Sequence, residues 1–458
     1  MGKRAILINP WLHDFAAFDM WSQPLGLLYV AALLETMDCR SVLINCLDRW
    51  HPSLGGWRAE GGRYGRYGCG KYPYEFIPKP PLMGGLKRRL RRYGISPAAF
   101  REDLAAAGGA DVVCVTTLMA HWYGGAVEAI REVRRMYPSV PVVIGGMYPT
   151  FCTEHARRNS GADIVIAGGD FNLIAETLRE ILGAAGGALP GGWEEMRPLH
   201  GLIRAPVAGV LTSLGCPFRC SYCGSRLIHG QFKQRPVEDV VKEIQWLAVE
   251  GGRADIAFYD DALLLNADRH FLPIVDEIAA RRLALRFHTF NGLHCRFVNR
   301  DVARAMKRCG FATVRLSYES SDPMRQRRDS CGKVTDDEFR AAVEALRSEG
   351  FGKEEMAAYV LFGLPGQGAE EIMDSVRRVI EAGIPASLAQ FSPIPGTPAF
   401  EEWLAASSYT REEVEAEPLC LSCSAIGYRM KAGLDWEGYE RLKNEVRKAN
   451  ESLFKSGA

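Results

Sequence analysis

Leu211-Thr212-Ser213-Leu214-Gly215-Cys216-Pro217-Phe218-Arg219-Cys220-Ser221-Tyr222-Cys223 decides the reading of this chain, because the apolar run Gly209 to Leu214 feeds straight into a loop carrying three thiols. The run is short and continuous, as expected of a strand covered on both faces. With 13 cysteines in 458 residues, a CxxxCxxC spacing arises by chance roughly 0.01 times per chain, so coincidence is a poor account of it. Downstream, further strand-like runs cover Asp255 to Tyr259, Leu285 to Thr289, Thr313 to Ser317, Ala357 to Phe362 and Ser387 to Phe391. Helical segments intervene; Pro236 to Val249 sets Val237, Val240, Val241, Ile244 and Leu247 on one face. Strands that alternate with helices over 205–400 predict a partial (β/α)6 TIM-type barrel, in which function gathers at strand C-termini.

Upstream the chain alternates in the same way. Strand-like Ala5 to Asn9, Ser41 to Leu47, Val112 to Leu118, Val142 to Ile144 and Ile164 to Ala167 are separated by helical Leu25 to Met37, Ala126 to Met136 and Leu173 to Leu182. This predicts a Rossmann-like α/β domain over 1–190, with Ser22 and Pro24 capping and starting its first helix. The interval 50–106 breaks the rhythm with Gly, Tyr, Arg and Pro and the basic run Lys87-Arg88-Arg89-Leu90-Arg91-Arg92. It reads either as a surface loop with a solvated basic helix or as a lid that contacts an anionic substrate or partner. A Gly, Ala and Pro-rich stretch leads into a linker at 191–204, and 401–458 reads as a small, mainly helical C-terminal region.

Composition sets outer bounds. At 458 residues, 47% hydrophobic and 24% charged, the chain is an ordinary globular protein of more than one domain. Its 56 basic and 55 acidic residues leave a charge of +1, so there is no whole-protein field to gather polyanions and nucleic acid is an unlikely partner. The early apolar stretch Leu25 to Leu34 is half of the ~20 residues a membrane span needs, and the N-terminus lacks the features of a signal peptide. The expectation is a cytoplasmic protein without a membrane span. An odd number of scattered cysteines points to metal chemistry or buried thiols rather than a disulfide framework.

Three thiolates on one loop suit zinc or an iron-sulfur cluster. Zinc needs a fourth ligand, for which His229 is the nearest candidate. A 4Fe-4S cluster held by Cys216, Cys220 and Cys223 leaves one iron open, and hence reactive. The CxxxCxxC loop with Tyr222 before its last cysteine, opening a β/α barrel, resembles the radical S-adenosylmethionine (SAM) superfamily. That resemblance implies that the three cysteines bind three irons, that SAM chelates the fourth, and that an electron from the cluster cleaves the sulfonium to a 5′-deoxyadenosyl radical. It also implies a low-potential electron donor such as flavodoxin or ferredoxin. Later segments resemble the same family's cofactor shell: Asp260 and Asp261 at the second strand's end, where SAM's amine is held, and Glu319 at the fourth, near the ribose. Gly363, Pro365 and Gly366 after the fifth strand, and Pro395 after the sixth, resemble loops on the adenine side.

In the first domain, Thr116-Thr117-Leu118, 26 residues and then Gly145-Gly146 resembles the second half of the cobalamin-binding signature. The domain order and Pro24-Leu25-Gly26-Leu27-Leu28-Tyr29 resemble B12-binding radical SAM proteins. The resemblance assigns Thr116, Leu118, Gly145 and Gly146 to a cobalamin site. The DxHxxG that supplies a lower axial histidine is missing: Asn9-Pro10-Trp11-Leu12-His13-Asp14 has His13 in the wrong frame, which leaves His121 as another candidate. Together these resemblances imply a radical SAM enzyme, oxygen-sensitive, that transfers a methyl group through methylcobalamin to an unactivated carbon of a small-molecule or peptide substrate. Two SAM molecules would be consumed per turnover, one leaving as S-adenosylhomocysteine and one as 5′-deoxyadenosine. The alternatives are a radical rearrangement or bond-forming enzyme without methyl transfer, and a non-catalytic metal-stabilised binding module. His288, Asn291 and His294 stand as substrate-facing or structural residues, and Cys420 and Cys423 as a redox pair, part of a second cluster or ordinary thiols.

Overall fold

The computed structural model of the chain describes residues 2–59, 65–184, 189–431 and 434–455. It divides into two compact units, one formed by 1–209, 227–229 and 411–424, the other by 210–226, 230–410 and 425–458.

In the first unit, β1 (Lys3–Asn9), β2 (Cys39–Asn45), β3 (Val112–Val115), β4 (Val142–Ile144) and β5 (Ile164–Val165) form a parallel sheet in the order β2-β1-β3-β4-β5. Ile6, Ile8, Val113, Val115, Val142 and Ile144 are buried because helices cover the sheet. The order reverses between β1 and β3, and in open α/β sheets that switch point opens a crevice at the strands' carboxyl ends. The residues that follow β3 and β4 are Thr116-Thr117-Leu118 and Gly145-Gly146, so the topology brings the two pieces of the motif to one edge of the sheet.

Two expectations for this unit change. Helix α1 (Leu25–Glu35) begins at Pro24, and no side chain caps it; the Ser22 N–H instead donates to Asp19 at 2.9 Å. The basic run does not form a helix. Arg91–Tyr93 is the middle strand of a small antiparallel sheet with Leu12–Asp14 and Tyr74–Phe76, followed by α2 (Pro97–Ala106). Alternation at the strand's end buries Tyr93 among Leu12, Leu47 and Tyr72, and pairing with two neighbours outweighs the helix propensity of lysine and arginine. Within the expected linker, the Trp193 indole donates to Gly169 O at 2.9 Å and meets Phe171 edge-on.

In the second unit, β6 (Val207–Val210), β7 (Asp255–Phe258), β8 (Arg286–Thr289), β9 (Phe311–Glu319), β10 (Met356–Phe362) and β11 (Ala386–Gln390) lie side by side in chain order. The unit boundary falls inside β6. This is the partial (β/α)6 barrel, with α3 (Val237–Val249) burying Val240, Val241, Ile244 and Leu247 as its periodicity requires. The C-terminal stretch is shared between the units: Arg411–Ser424 belongs to the first, while α4 (Trp436–Lys455) sits in the second, with Asn450 bonding both main-chain groups of Ala386 at the start of β11. Among the described residues, no helix is long and apolar enough to cross a membrane.

Candidate functional site

The cysteine loop and the segments that hold Asp260, Glu319, Gly363 and Pro395 each lie at or beyond a strand's C-terminal end. After β6 the chain makes a two-residue strand, Ser213–Leu214, turns at Gly215 (φ +76°) and enters the cysteine loop. Cys216, Cys220 and Cys223 are all free thiols. Ser221 fixes the loop: its N–H donates to Asp329 O at 2.8 Å, its hydroxyl to the Asp329 carboxylate at 3.1 Å, and its carbonyl accepts from Ala399 N–H. Burial would raise the Asp329 pKa, yet the Arg328 and Arg325 guanidinium groups hold it low. Phe218, at the loop's middle, packs edge-on against His294, ring centroids 4.5 Å apart.

Burial pushes the Cys216 and Cys220 thiols up to about 11 and raises Cys223 as well. They would release protons on binding a metal, as thiolate ligands must. Among the described residues, no three His, Cys, Asp or Glu side chains are grouped as ligands for a single metal ion. Three soft sulfur donors on one clamped loop fit an iron-sulfur cluster by their chemistry.

Asp260 and Asp261 divide the work at the end of β7. The Asp260 carboxylate is buried and accepts from the Thr212 N–H, the Thr212 hydroxyl at 2.7 Å and the Ser213 hydroxyl at 2.6 Å. It therefore ties the strand end to the stem of the cysteine loop, and desolvation raises its pKa despite these bonds. Asn291 braces the same turn, donating to Tyr259 O and Asp260 O. Asp261 is less enclosed and accepts from the Ser225 hydroxyl at 2.5 Å.

Glu319, the last residue of β9, has φ +70°, a conformation that costs a non-glycine residue about 1–3 kcal/mol unless its surroundings enforce it. The Lys333 ammonium lies 2.7 Å from the Glu319 carboxylate, with both residues buried. Burial pulls the Lys333 pKa down, but Glu319 and the neighbouring Tyr222 and Cys220 hold it well above the usual lysine value. Lys333, Asp329 and Ser221 carry no sequence motif; the one hint of Lys333 is a lysine between glycine and valine ahead of the Thr335 capping box. On the fifth-strand loop, Gly363 and Gly366 have φ of +95° and +69°, Gln367 folds back to accept from Gly363 and Leu364 N–H, and Pro365 O faces Arg325. Pro395 precedes the Thr397 cap of the next helix. His288 lies away from these ends, fully buried between Asp255, the first residue of β7, and Thr313, each 3.0 Å away.

In the first unit, the Thr117 hydroxyl accepts from Tyr148 N–H at 2.9 Å, Met147 N–H donates to Thr117 O, and Gly145 N–H to Val115 O. Gly146 (φ +93°) is required by this contact, since a Cβ there would stand 2.4 Å from Thr117 O and 3.1 Å from Thr116 Oγ1. Gly145 is different: its φ is not positive, and a Cβ would meet nothing within 4 Å. Nothing among the described residues demands glycine at 145, which leaves a bare backbone ledge in the same motif as half-buried Thr116 and Leu118. That cradle fits the close approach of a cofactor's tail.

His121 does not present itself in the same way. Its ring is 1% exposed, with Nε2 3.2 Å from Asp14 and Nδ1 without a partner among the described residues. Asp14 also accepts from the Trp122 indole and the Ser422 hydroxyl, both at 2.8 Å; burial would raise its pKa, but these donors and His121 hold it low. A nitrogen sealed this deeply reaches a metal only if the ring leaves its seat. His13, on the strand after β1, is bonded to Glu128 at 2.9 Å. Cys420 is buried and its thiol raised well above the usual value by desolvation, the state of an inert thiol.

A small cleft lies beyond the C-terminal end of β2, lined by Asn45, Asp48, Trp50, Trp21 and Val207. Its lining includes neither the glycine ledge nor the cysteine loop.

Comparison with known proteins agrees with this layout. The radical SAM superfamily profile matches residues 210–379, and the B12 binding domain profile matches residues 89–176. The chain is 27% identical over 326 residues to an uncharacterised methyltransferase of Pyrococcus horikoshii, covering 64% of this chain and 69% of that protein. It is 30% identical over 191 residues to the ribosomal protein uS12 methylthiotransferase of Frankia alni, but spans only 34% of that relative's length. Among solved structures, the radical S-adenosylmethionine methyltransferase TsrM of Kitasatospora setae, with cobalamin and a 4Fe-4S cluster bound, has a TM-score of 0.63. It covers 99% of this chain and 100% of its own at 16% identity, a likeness of fold.

Proposed function

We propose that this chain, which belongs to the radical SAM superfamily and carries a B12-binding domain ahead of its barrel, is a cobalamin-dependent enzyme that methylates an unactivated carbon. The observation that carries the proposal is the pairing, in one chain, of a clamped three-thiol loop with a glycine ledge that the protein's own packing does not require. When bound, a cluster with one open iron supplies the electron that breaks SAM's sulfonium bond, and a corrinoid carries the methyl group.

Cys216, Cys220 and Cys223 would hold the cluster, and Ser221, Asp329 and Asp260 would keep their loop in place. Glu319 and Asp261, with the Gly363-Leu364-Pro365-Gly366 loop and Pro395, would line the SAM side, with Tyr222 packed beside Lys333. The Lys333 ammonium, 2.7 Å from Glu319, fixes the direction of that carboxylate. Thr116, Leu118, Gly145 and Gly146 would seat the corrinoid's tail, and His121, held on Asp14, would not serve as its ligand. The methyltransferase names of the Pyrococcus relative and of TsrM support methyl transfer. The abundance of free thiols supports a reducing, cytoplasmic setting, where a low-potential one-electron donor would serve the cluster.

The test is anaerobic purification and cluster reconstitution, with iron, sulfide and cobalt analysis, followed by SAM and reductant. The expected products are both 5′-deoxyadenosine and S-adenosylhomocysteine, with SAM cleavage lost in Cys220→Ala. Full activity in that variant would exclude the cluster assignment, and 5′-deoxyadenosine without S-adenosylhomocysteine or any methylated product would exclude methyl transfer.

A further inference from the structure

The small antiparallel sheet of the 50–106 insertion has an edge that the proposed chemistry leaves unused. Its strands run Leu12–Asp14, Arg91–Tyr93, Tyr74–Phe76, so Tyr74–Phe76 is one of its two edge strands. Tyr74 stands opposite Tyr93, Glu75 opposite Arg92 and Phe76 opposite Arg91. The flanking bonds run from Gly94 N–H to Pro73 O and from Ile77 N–H to Leu90 O. Bonded and non-bonded pairs alternate along an antiparallel ladder. With 73/94 and 77/90 bonded, Glu75/Arg92 is the bonded pair between them, and the N–H and C=O groups of Tyr74 and Phe76 point away from the sheet. Among the described residues no strand pairs with them. Two donors and two acceptors thus stand two residues apart, the spacing that an added strand uses.

The side chains on this edge are chemically one-sided. Tyr74 and Phe76 share a face, are 46% and 43% exposed, and have ring centroids 5.5 Å apart. The Arg89 guanidinium lies 3.2 Å from the centre of the Phe76 ring, and that of Arg91 lies 4.4 Å from the centre of Tyr74. Glu75 points to the other face and is taken by Arg92 at 2.6 Å. The aromatic face is therefore basic, and the chain just before Arg89 carries two further cations, Lys87 and Arg88.

We propose that this edge docks an extended acidic segment of a partner polypeptide by strand addition. The outward main-chain groups of Tyr74 and Phe76 pair with its backbone, and Arg89 and Arg91 meet its carboxylates with charge-assisted hydrogen bonds. A second copy of this chain, edge to edge, would oppose two basic runs, which like-charge repulsion disfavours. Nucleic acid would engage the arginines and rings but would leave the outward peptide groups unpaired.

The geometry makes a sharp demand on the partner. The strand adds antiparallel: residues directly opposite Tyr74 and Phe76 then form bonded pairs with them and share their face, so the same residues that present carboxylates must present their N–H groups inward. Fluorescence anisotropy with the full chain and a labelled peptide of alternating glutamate and valine tests this. Saturable binding is expected, weakened at least about tenfold by Arg89→Glu, an exposed position that does not threaten folding, and by N-methylation of the glutamate nitrogens. N-methylation of the valine nitrogens should leave binding unchanged, and a lysine-valine peptide should not bind. The proposal is overturned if the glutamate-valine peptide fails to bind, or if methylation at glutamate has no effect. It is likewise overturned if oligouridylate binds more tightly than the peptide, or if sedimentation shows an edge-mediated dimer that Arg89→Glu dissociates.

Discussion

Replacing Gly146 with alanine places a Cβ 2.4 Å from Thr117 O and 2.8 Å from Thr117 N, at a φ of +93°. With ψ at −159° this is a region that is essentially confined to glycine, and it costs an alanine about 1–3 kcal/mol. Relieving a clash against backbone, which has no rotamer to escape into, adds about 1–3 kcal/mol. The sum is about 2–6 kcal/mol, and for a unit of this size each kcal/mol moves the melting temperature by about 2–4 °C. Gly145→Ala is the matched control in stability but not in binding. Its Cβ meets nothing within 4 Å, so unfolding should stay within about 0.5 kcal/mol of the parent. A methyl group on the ledge nevertheless occupies the space through which a cobalamin tail would approach, and the expected cost is at least about tenfold in cobalamin affinity. Thermal unfolding of the two variants, with equilibrium dialysis of hydroxocobalamin against each, separates the effects. Undiminished cobalamin binding by Gly145→Ala would refute the ledge as a cofactor contact, and an unshifted melting temperature for Gly146→Ala would refute the packing argument.

Lys333→Met strands the Glu319 carboxylate without its counter-charge, so a loss of about 3–5 kcal/mol is expected, with reduced iron loading after reconstitution and recovery in Lys333→Arg. Equal melting temperatures for Lys333→Met and the parent would sink the pairing. Asp260→Ala removes the common acceptor of Thr212 and Ser213 and should cost about 2–4 kcal/mol while lowering iron per chain, measured anaerobically by chelation. Undiminished iron would separate Asp260 from loop positioning. His155 gives a pH test: burial lowers its pKa from 6.5 to about 4. Between those values the unfolded chain binds a proton that the folded one refuses, so stability falls as pH drops through the window, by at most about 3 kcal/mol. Denaturant unfolding at stepped pH should show this slope, and His155→Gln should flatten it; an equal slope in both proteins would assign the acid sensitivity elsewhere.

The range of the forces involved decides which features are legible in the amino-acid order and which are hidden. Strand and helix positions were legible because periodicity is local: Val142–Ile144 and Asp255–Phe258 appear where their apolar runs end, and α3 buries the stripe its spacing draws. The cysteine loop was legible because its three donors share one turn of chain. The basic run misled because lysine and arginine suit a helix, whereas Leu12–Asp14 and Tyr74–Phe76, far away in the chain, recruited Arg91–Tyr93 into a sheet. Asp14 illustrates the deeper limit. Its fourfold environment joins Phe15, His121, Trp122 and Ser422, the last 408 residues away, and no pattern in the sequence connects them. Lys333 escaped for the same reason: a lysine reads as solvated until Glu319, at positive φ at a strand end, supplies the counter-charge that makes its burial tolerable. The residues proposed to bind are thus written in the chain as spacing, while the contacts that would aim them exist only once it has folded.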